Sequence, residues 1–304
     1  MSDIKNKSAE PLILITGMNG QVGWELQRSM APLGKIVAID QQDLDLTDID
    51  KVRLFIRDIK PTVIINAAAY TAVDKAESES DLAFKINAIA PGVIAEEASA
   101  LGALLIHYST DYVFNGEKES AYLETDQVDP LNVYGASKLA GEEAIIASSC
   151  HYLIFRTSWV FASRGQNFLL SMLRLARERE ELTIVADQFG SPTSARLISD
   201  VTSHIVKQAR NEIDDGVFES DLYNMVSNGR TSWHGFAEKI IDSAKSISSD
   251  DFKVKAVKPI QTTDYPTPAK RPLSSCLETS KLKQRFGIRL SNWNEQVDLC
   301  VKEI

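Results

Sequence analysis

Hydrophobic positions along the chain fall into two alternating rhythms. Short apolar runs stand at 11–17 (PLILITG), 35–40 (KIVAID), 62–69 (TVIINAAA), 103–110 (ALLIHYST) and 152–161 (YLIFRTSWVF). They are rich in Ile, Val and Leu and end on small or polar residues, the pattern of strands buried on both faces. Between them, 21–32, 48–59, 80–101 and 134–149 carry apolar residues at helical spacing. Strand–helix alternation of this kind predicts a parallel sheet with right-handed crossovers and helices on both faces.

The rhythm changes after residue 160. A helix at 166–180 leads to LTIVADQFGSPTSA, a strand running into a Gly/Pro loop. A helix at 196–210, the strand LYNMVS and a helix at 231–246 follow. The segment 259–272 (PIQTTDYPTPAKRP) reads as a proline-rich loop, and 279–304 as helix with a break at Phe286-Gly287. The fold class expected is α/β, a Rossmann-like doubly wound parallel sheet with a smaller mixed α/β C-terminal lobe. Residues 1–10 read as a disordered extension. Residues 11–160 with 195–228 make the sheet domain, and 161–194 with 229–304 the smaller lobe.

Composition narrows the function. The net charge of −9 and the lack of a basic block argue against a nucleic-acid surface. Three cysteines (Cys150, Cys276, Cys300) make an odd set without a C-x-x-C pair, which points to a reducing, cytoplasmic compartment. The four histidines lack metal-ligand spacing. No apolar run is long enough to span a membrane, and the first ten residues are too polar for a signal peptide.

The candidate chemistry sits at strand ends. LILITGMNGQVGWEL places Gly17, Gly20 and Gly23 between the first strand and the first helix. Gly17 permits a tight turn, Gly20 lets backbone approach a pyrophosphate, and Gly23 allows close packing; the helix N-terminus favours the phosphates. Asp40, ending the second strand, is placed to accept both ribose hydroxyls of an adenosine and would repel a 2′-phosphate, a lean toward NADH over NADPH. It could equally be a turn residue. Asp45-Leu46 could bracket an adenine. The alanines of NAAAY either leave the backbone bare for a dinucleotide or serve close helix packing.

Thr110 stands at the carboxyl end of the fourth main strand, where ligands bind in open α/β sheets. Tyr134 and Lys138 follow in NVYGASKLAGE, four apart and so on one helix face. Taken alone, the pair could be a buried aromatic and a solvated lysine. Together with the glycine turn and the strand-end hydroxyl, it reads as a catalytic pair in which the lysine lowers the tyrosine pKa.

This order of motifs resembles the extended short-chain dehydrogenase/reductases and, among them, the dTDP-4-dehydrorhamnose reductase family. The likeness runs from about residue 12 to about 300 on GQVGWELQR, NAAAYTAVDKAE, HYSTDYVFNG, PLNVYGASKLAGE, FRTSWVF, DQFGSPT and YPTPAKRP. It implies that NADPH or NADH delivers hydride to C4 of a nucleotide-linked keto sugar. Tyr134 would then protonate the C4 oxygen, Thr110 polarise it, and Lys138 hold the nicotinamide ribose. Implied cofactor contacts are Gly20, Gln21, Val22, Asp40, Asp45, Leu46, Ala69, Tyr70, Thr71 and Tyr108, with Tyr134 and Lys138. Implied substrate contacts are Thr110, Asp111, Val73 and Trp159, whose indole would face the sugar. Asn167, the QFGSPT loop and PTPAKRP would form the nucleotide-sugar side of the cleft, with Lys270 and Arg271 meeting the diphosphate or simply solvated.

Part of this family is associated with a metal-bridged dimer through acidic residues. Glu25 is present, but Arg196 stands where a carboxylate would be wanted, so no metal site is carried over, and a homodimer is one assembly the resemblance allows while the sequence leaves the oligomeric state open. A catalytically silent regulatory subunit of the same fold is disfavoured because Thr110, Tyr134 and Lys138 are all present. Another 4-keto-6-deoxy sugar reductase or a nucleotide-sugar epimerase is the nearer alternative.

Overall fold

The run LILIT forms β1 (Leu12–Thr16), whose last four residues are buried. β2 (Lys35–Ile39) pairs with it on one side and β3 (Val63–Asn66) on the other, both parallel, through the crossover helices α1 (Gln21–Met30) and α2 (Ile49–Ile59). Three helices, α3 (Val73–Ala76), α4 (Ser80–Phe84) and α5 (Ala90–Leu101), lead to β4 (Leu104–Thr110). Next come α6 (Val133–Ala147), β5 (His151–Thr157) and the short β6 (Val160–Phe161). They are followed by α7 (Phe168–Glu178), β7 (Glu181–Val185), β8 (Phe189–Gly190), β9 (Thr193–Ser194) and α8 (Ala195–Asp214). The chain then forms β10 (Asp221–Asn224), β11 (Thr231–Ser232), α9 (Trp233–Lys245) and β12 (Ala256–Ile260). Helices α10 (Ser280–Phe286) and α11 (Trp293–Val301) end the chain. This computed structural model describes residues 10–248 and 251–304. The expected disordered extension, residues 1–10, therefore lies outside the described residues except for Glu10.

The main sheet is six-stranded and parallel, in the order β10-β5-β4-β3-β1-β2. The winding reverses between β1 and β3, so a crevice opens at their carboxyl ends, where open α/β sheets bind ligands. One face packs on α1 and α8 (Leu26, Met30, Ile198, Ile205) and the other on α2 and α5 (Val52, Ile56, Val93, Ile94). A third apolar cluster joins α7, α9 and α11 around Phe161 and Phe236. Burying each large aliphatic side chain contributes about 1.5–3 kcal/mol, so the two sheet faces supply most of the fold's stability.

Three expectations need correction. The segment YLIFRTSWVF is not one strand: it breaks at Ser158-Trp159, where Trp159 takes φ +46°. That left-handed backbone is unfavourable for a bulky residue and is held by packing, since the indole stacks on Trp233 with ring centroids 3.6 Å apart. The helix expected over 80–101 is interrupted by a π-helical turn, Lys85–Ile89, just before Pro91, which has no N–H to continue the helical bonding. Finally, the loop expected from Pro259 onward starts inside β12, which pairs parallel with β7. Because that sheet has only two strands, the proline sits on an edge, where a missing donor is tolerated.

Candidate active site

The cleft at the switch point has a volume of about 440 Å³. Its floor is the glycine turn. Gly17 has φ +71°, and a side chain there would come within 2.9 Å of the Ala68 backbone. Gly23 packs still more tightly, since a Cβ would sit 2.0 Å from the Gly17 carbonyl oxygen. Helix α1 begins at Gly20 with no side-chain cap and no acidic residue in its first turn, so its free N–H groups and positive dipole end remain available to an anion. The half-buried Asp40 accepts the Asn19 N–H at 3.1 Å and the Gln41 N–H at 2.7 Å. Beside them the Ser109 hydroxyl, which also lines the cleft, is buried without a partner. A bare turn, uncapped N–H groups, a strand-end acid and an orphaned hydroxyl fit a dinucleotide.

The catalytic candidates come from β4 and α6. Asn132 caps α6 by accepting the Gly135 N–H at 2.8 Å, a bond worth about 1 kcal/mol, and its amide donates to the Lys270 carbonyl. This fixes Tyr134 in the first turn, its ring edge-on to Tyr112 at 5.9 Å. Tyr134 and Lys138 both line the cleft. Burial pushes the Tyr134 phenol up to about 12, with a contact to the Thr110 hydroxyl working against the rise. The lowering expected from Lys138 is therefore not found. The Lys138 amine instead donates to the Tyr108 carbonyl at 2.6 Å and lies 3.1 Å from His107 Nε2. Burial pushes Lys138 itself down to about 8. In a site this enclosed, desolvation outweighs the attraction between a phenolate and an ammonium.

Twelve of the residues expected at the cofactor line this one cleft: Gly17, Gly20, Gln21, Val22, Asp40, Asp45, Leu46, Ala69, Thr71, Tyr108, Tyr134 and Lys138. Gly23 and Tyr70 do not; Gly23 packs beneath the turn, and the Tyr70 hydroxyl donates to Glu79 at 2.6 Å. Thr110 ends β4 and Asp111 follows it; both are buried, and the Thr110 hydroxyl donates to Asp111 at 3.1 Å. Val73 starts α3, next to Asp74, which binds Arg271 at 2.8 Å and accepts the Ala269 N–H. The PTPAKRP segment is thereby drawn against α3 and the start of α6. Arg271 is held by Asp74 rather than left free for a diphosphate, and Lys270 is exposed.

Trp159 departs furthest from expectation. Trp233 stacks on one face of its indole, and Gly190 presses so closely that a Cβ there would lie 2.5 Å from the ring, while Trp159 as a whole stays half-buried. Residues that sequence reasoning passed over also line the cleft, among them Thr16, Asn19, Asn66 and Ser109. For Thr16 and Asn66 the signal was a polar residue closing an otherwise fully apolar strand. As for a bridging metal, the Glu25 carboxylate is already engaged by Arg28 at 3.4 Å and Arg196 at 3.2 Å, and Arg196 also reaches Glu303.

A doubly wound sheet with a glycine turn, and with tyrosine and lysine on one helix face in the same cleft, defines an NAD(P)-dependent oxidoreductase of the extended short-chain dehydrogenase/reductase type. Comparison with known proteins narrows the class. The family model described as the RmlD substrate binding domain matches residues 11–304. The dTDP-4-dehydrorhamnose reductase of Burkholderia thailandensis is 51% identical over 293 residues, covering 96% of this chain and 98% of that protein. A dTDP-4-dehydrorhamnose reductase structure from Clostridium acetobutylicum superposes with a TM-score of 0.86 at 37% identity, covering 96% of this chain and 99% of its own. One from Bacillus anthracis, solved in complex with NADP, gives 0.85 at 36% identity, covering 97% and 100%. The chain belongs to the dTDP-4-dehydrorhamnose reductase family.

Proposed function

We propose that this chain reduces the C4 keto group of dTDP-4-dehydro-β-L-rhamnose to dTDP-β-L-rhamnose, the last step in making that nucleotide sugar. Its relatives are named for this activity. The observation that carries it here is the shared cleft, which holds the glycine turn together with Tyr134 and Lys138. A bound NADPH or NADH supplies the hydride.

In this reading the pyrophosphate lies against Gly20 and takes the N–H groups of Gln21 and Val22, while the Gly20 N–H closes the turn on the Gly17 carbonyl. Asp40 takes the adenosine ribose, Asp45 and Leu46 flank the adenine, and Ala69, Thr71 and Tyr108 line the path toward Lys138, which holds the second ribose. Thr110 turns its single hydroxyl proton from Asp111 to the C4 oxygen as negative charge grows on it. Tyr134 then releases its proton to that oxygen. Because the phenol stays neutral at every working pH, the proton is in place until the alkoxide, a stronger base than phenolate, takes it. Asp111 and Val73 border the sugar, and we assign Trp159 to packing. Residues 161–194 and 229–304 form the lobe that grips the nucleotide sugar.

We also place the protein in the cytoplasm, in keeping with its three buried free cysteines; among the described residues no helix is long and apolar enough to cross a membrane. The assembly we propose is a homodimer formed without a bridging metal, given the pairing of Glu25 with Arg28 and Arg196. Sedimentation with and without EDTA tests it, with equal dimer content expected.

The activity is tested by loss of 340 nm absorbance on mixing the protein with the keto sugar and NADPH or NADH, with the product identified by NMR. Cofactor oxidation yielding the L-rhamno product is expected. Cofactor binding without oxidation would shift the assignment to another keto sugar.

A further inference from the structure

Three polar side chains form a ladder through strands that are otherwise apolar. Thr16 of β1, Asn66 of β3 and His107 of β4 are register partners in successive strands, so their side chains project from one face of the sheet. None is more than 3% exposed. The Thr16 hydroxyl donates to Asn66 Oδ1 at 2.7 Å, Asn66 Nδ2 lies 3.1 Å from His107 Nδ1, and His107 Nε2 lies 3.1 Å from the Lys138 amine. The ladder thus runs from the residue before Gly17 to the lysine on α6. Sheet packing does not call for buried polar groups, which are costly unless every one is bonded.

We infer that His107 is a positioning residue for the reduction, fixing the Lys138 amine on the cleft wall and tying it through Asn66 and Thr16 to the glycine turn. This rests on the reductase reading above. An ammonium has three N–H donors. The Tyr108 carbonyl takes one and His107 Nε2 a second, leaving one for the cleft. To accept, the imidazole must be neutral, and its full burial beside Lys138 holds its pKa well below the usual histidine range.

The ladder serves Lys138 in either protonation state. When lysine is charged, His107 carries its proton on Nδ1 and the Asn66 amide turns over, so that its oxygen accepts from Nδ1 and its Nδ2 donates to the Thr16 oxygen. When lysine is neutral, every bond reverses and Nε2–H donates to the amine. The His107–Asn66 pair stays bonded in both states, but a hydrogen bond from an ammonium is the stronger one, so His107 favours the charged lysine.

Of the surrounding charges, that of Glu142 favours the ammonium at a distance, and the hydrogen bond falls to the histidine. On the lysine's own helix, Glu142 is bound bidentately by Arg156 of β5, at 2.9 and 2.6 Å, and Tyr134 is neutral. Past β4, Asp111 takes hydrogen bonds from Thr110 and Ser158. Of the elements packed on α6, α3 brings Asp74, paired with Arg271; α4 and the π-helical turn bring exposed Asp81 and Lys85; α5 brings Glu97, paired with Arg53 and Arg57. Among the described residues no carboxylate bonds the Lys138 amine.

The test compares His107→Leu, which removes the acceptor, with His107→Gln, whose amide can accept from lysine and donate to Asn66. One readout needs no turnover: NMR titration of Cε-labelled lysine, with the Lys138 signal assigned by its loss in Lys138→Arg. The other is the pH profile of kcat and KM with the keto sugar and NADPH. Leucine is expected to lower the Lys138 midpoint by about one pH unit, the scale of one lost hydrogen bond to a charge. It should also cut kcat at least tenfold with little change in KM and move the alkaline limb by the same amount. Glutamine should restore most of each. If the leucine variant does not fold, His107→Asn, too short to reach Lys138, carries the same expectation. An unmoved Lys138 midpoint and alkaline limb, or a glutamine variant no better than leucine, would overturn the inference. A wild type that reduces no keto sugar would instead overturn the reductase reading, leaving the NMR titration to decide His107.

Discussion

Asp40 accepts the backbone N–H of Asn19 at 3.1 Å, which fastens the acid at the end of β2 to the glycine turn beneath the cleft. A 2′-phosphate on the adenosine ribose would meet this carboxylate, whereas two free hydroxyls could donate to it. Asp40→Ala is therefore expected to raise the ratio of kcat/KM for NADPH over NADH by about tenfold, equivalent to roughly 1.4 kcal/mol. Steady-state rates with the two cofactors check this, and an unchanged ratio would remove Asp40 from cofactor selection.

The contact between Gly23 and Gly17 sets a limit on what the turn tolerates. An alanine at 23 would overlap the Gly17 carbonyl, and the opposing atoms are backbone that cannot swing aside. Gly23→Ala is expected to destabilise the fold by about 1–3 kcal/mol and to weaken dinucleotide binding at least tenfold. Thermal denaturation and a cofactor titration measure the two effects.

Asp111 links the site to stability through pH. Burial lifts its carboxyl to about 6 in spite of hydrogen bonds from Ser275, Ser158 and Thr110. In the unfolded chain it ionises near pH 4. Between these values the folded state binds more protons, so this group's contribution to stability falls as pH rises through the window and stays reduced above it. Asp111→Asn escapes the penalty. Its thermal midpoint should exceed wild type by about 5 °C at pH 7.5 and by much less at pH 4.5, while turnover drops. Equal midpoints at pH 7.5 would contradict the assignment.

The parallel sheet could be read from the sequence because its strands are continuous apolar runs and its helices keep their period. The break at Trp159 could not, since tryptophan and valine both favour strands and only the stack on Trp233 reveals the left-handed turn. β12 was hidden by Pro259, whose cost depends on whether the strand lies at an edge. In the site, spacing brought Tyr134 and Lys138 to one face but carried no information on burial, which decides the direction of their pKa shifts. Asn66 and His107 carried no pairing signal in the sequence, and only the strand register places them side by side.

The central claim is that Tyr134 gives its proton to the C4 oxygen, and single-turnover reduction by Tyr134→Phe tests it most directly. The account predicts unchanged NADPH and NADH affinity, measured by fluorescence, with the reduction rate lowered by about 10²–10⁴-fold. A phenylalanine variant that reduces the keto sugar within a few-fold of wild type would contradict it.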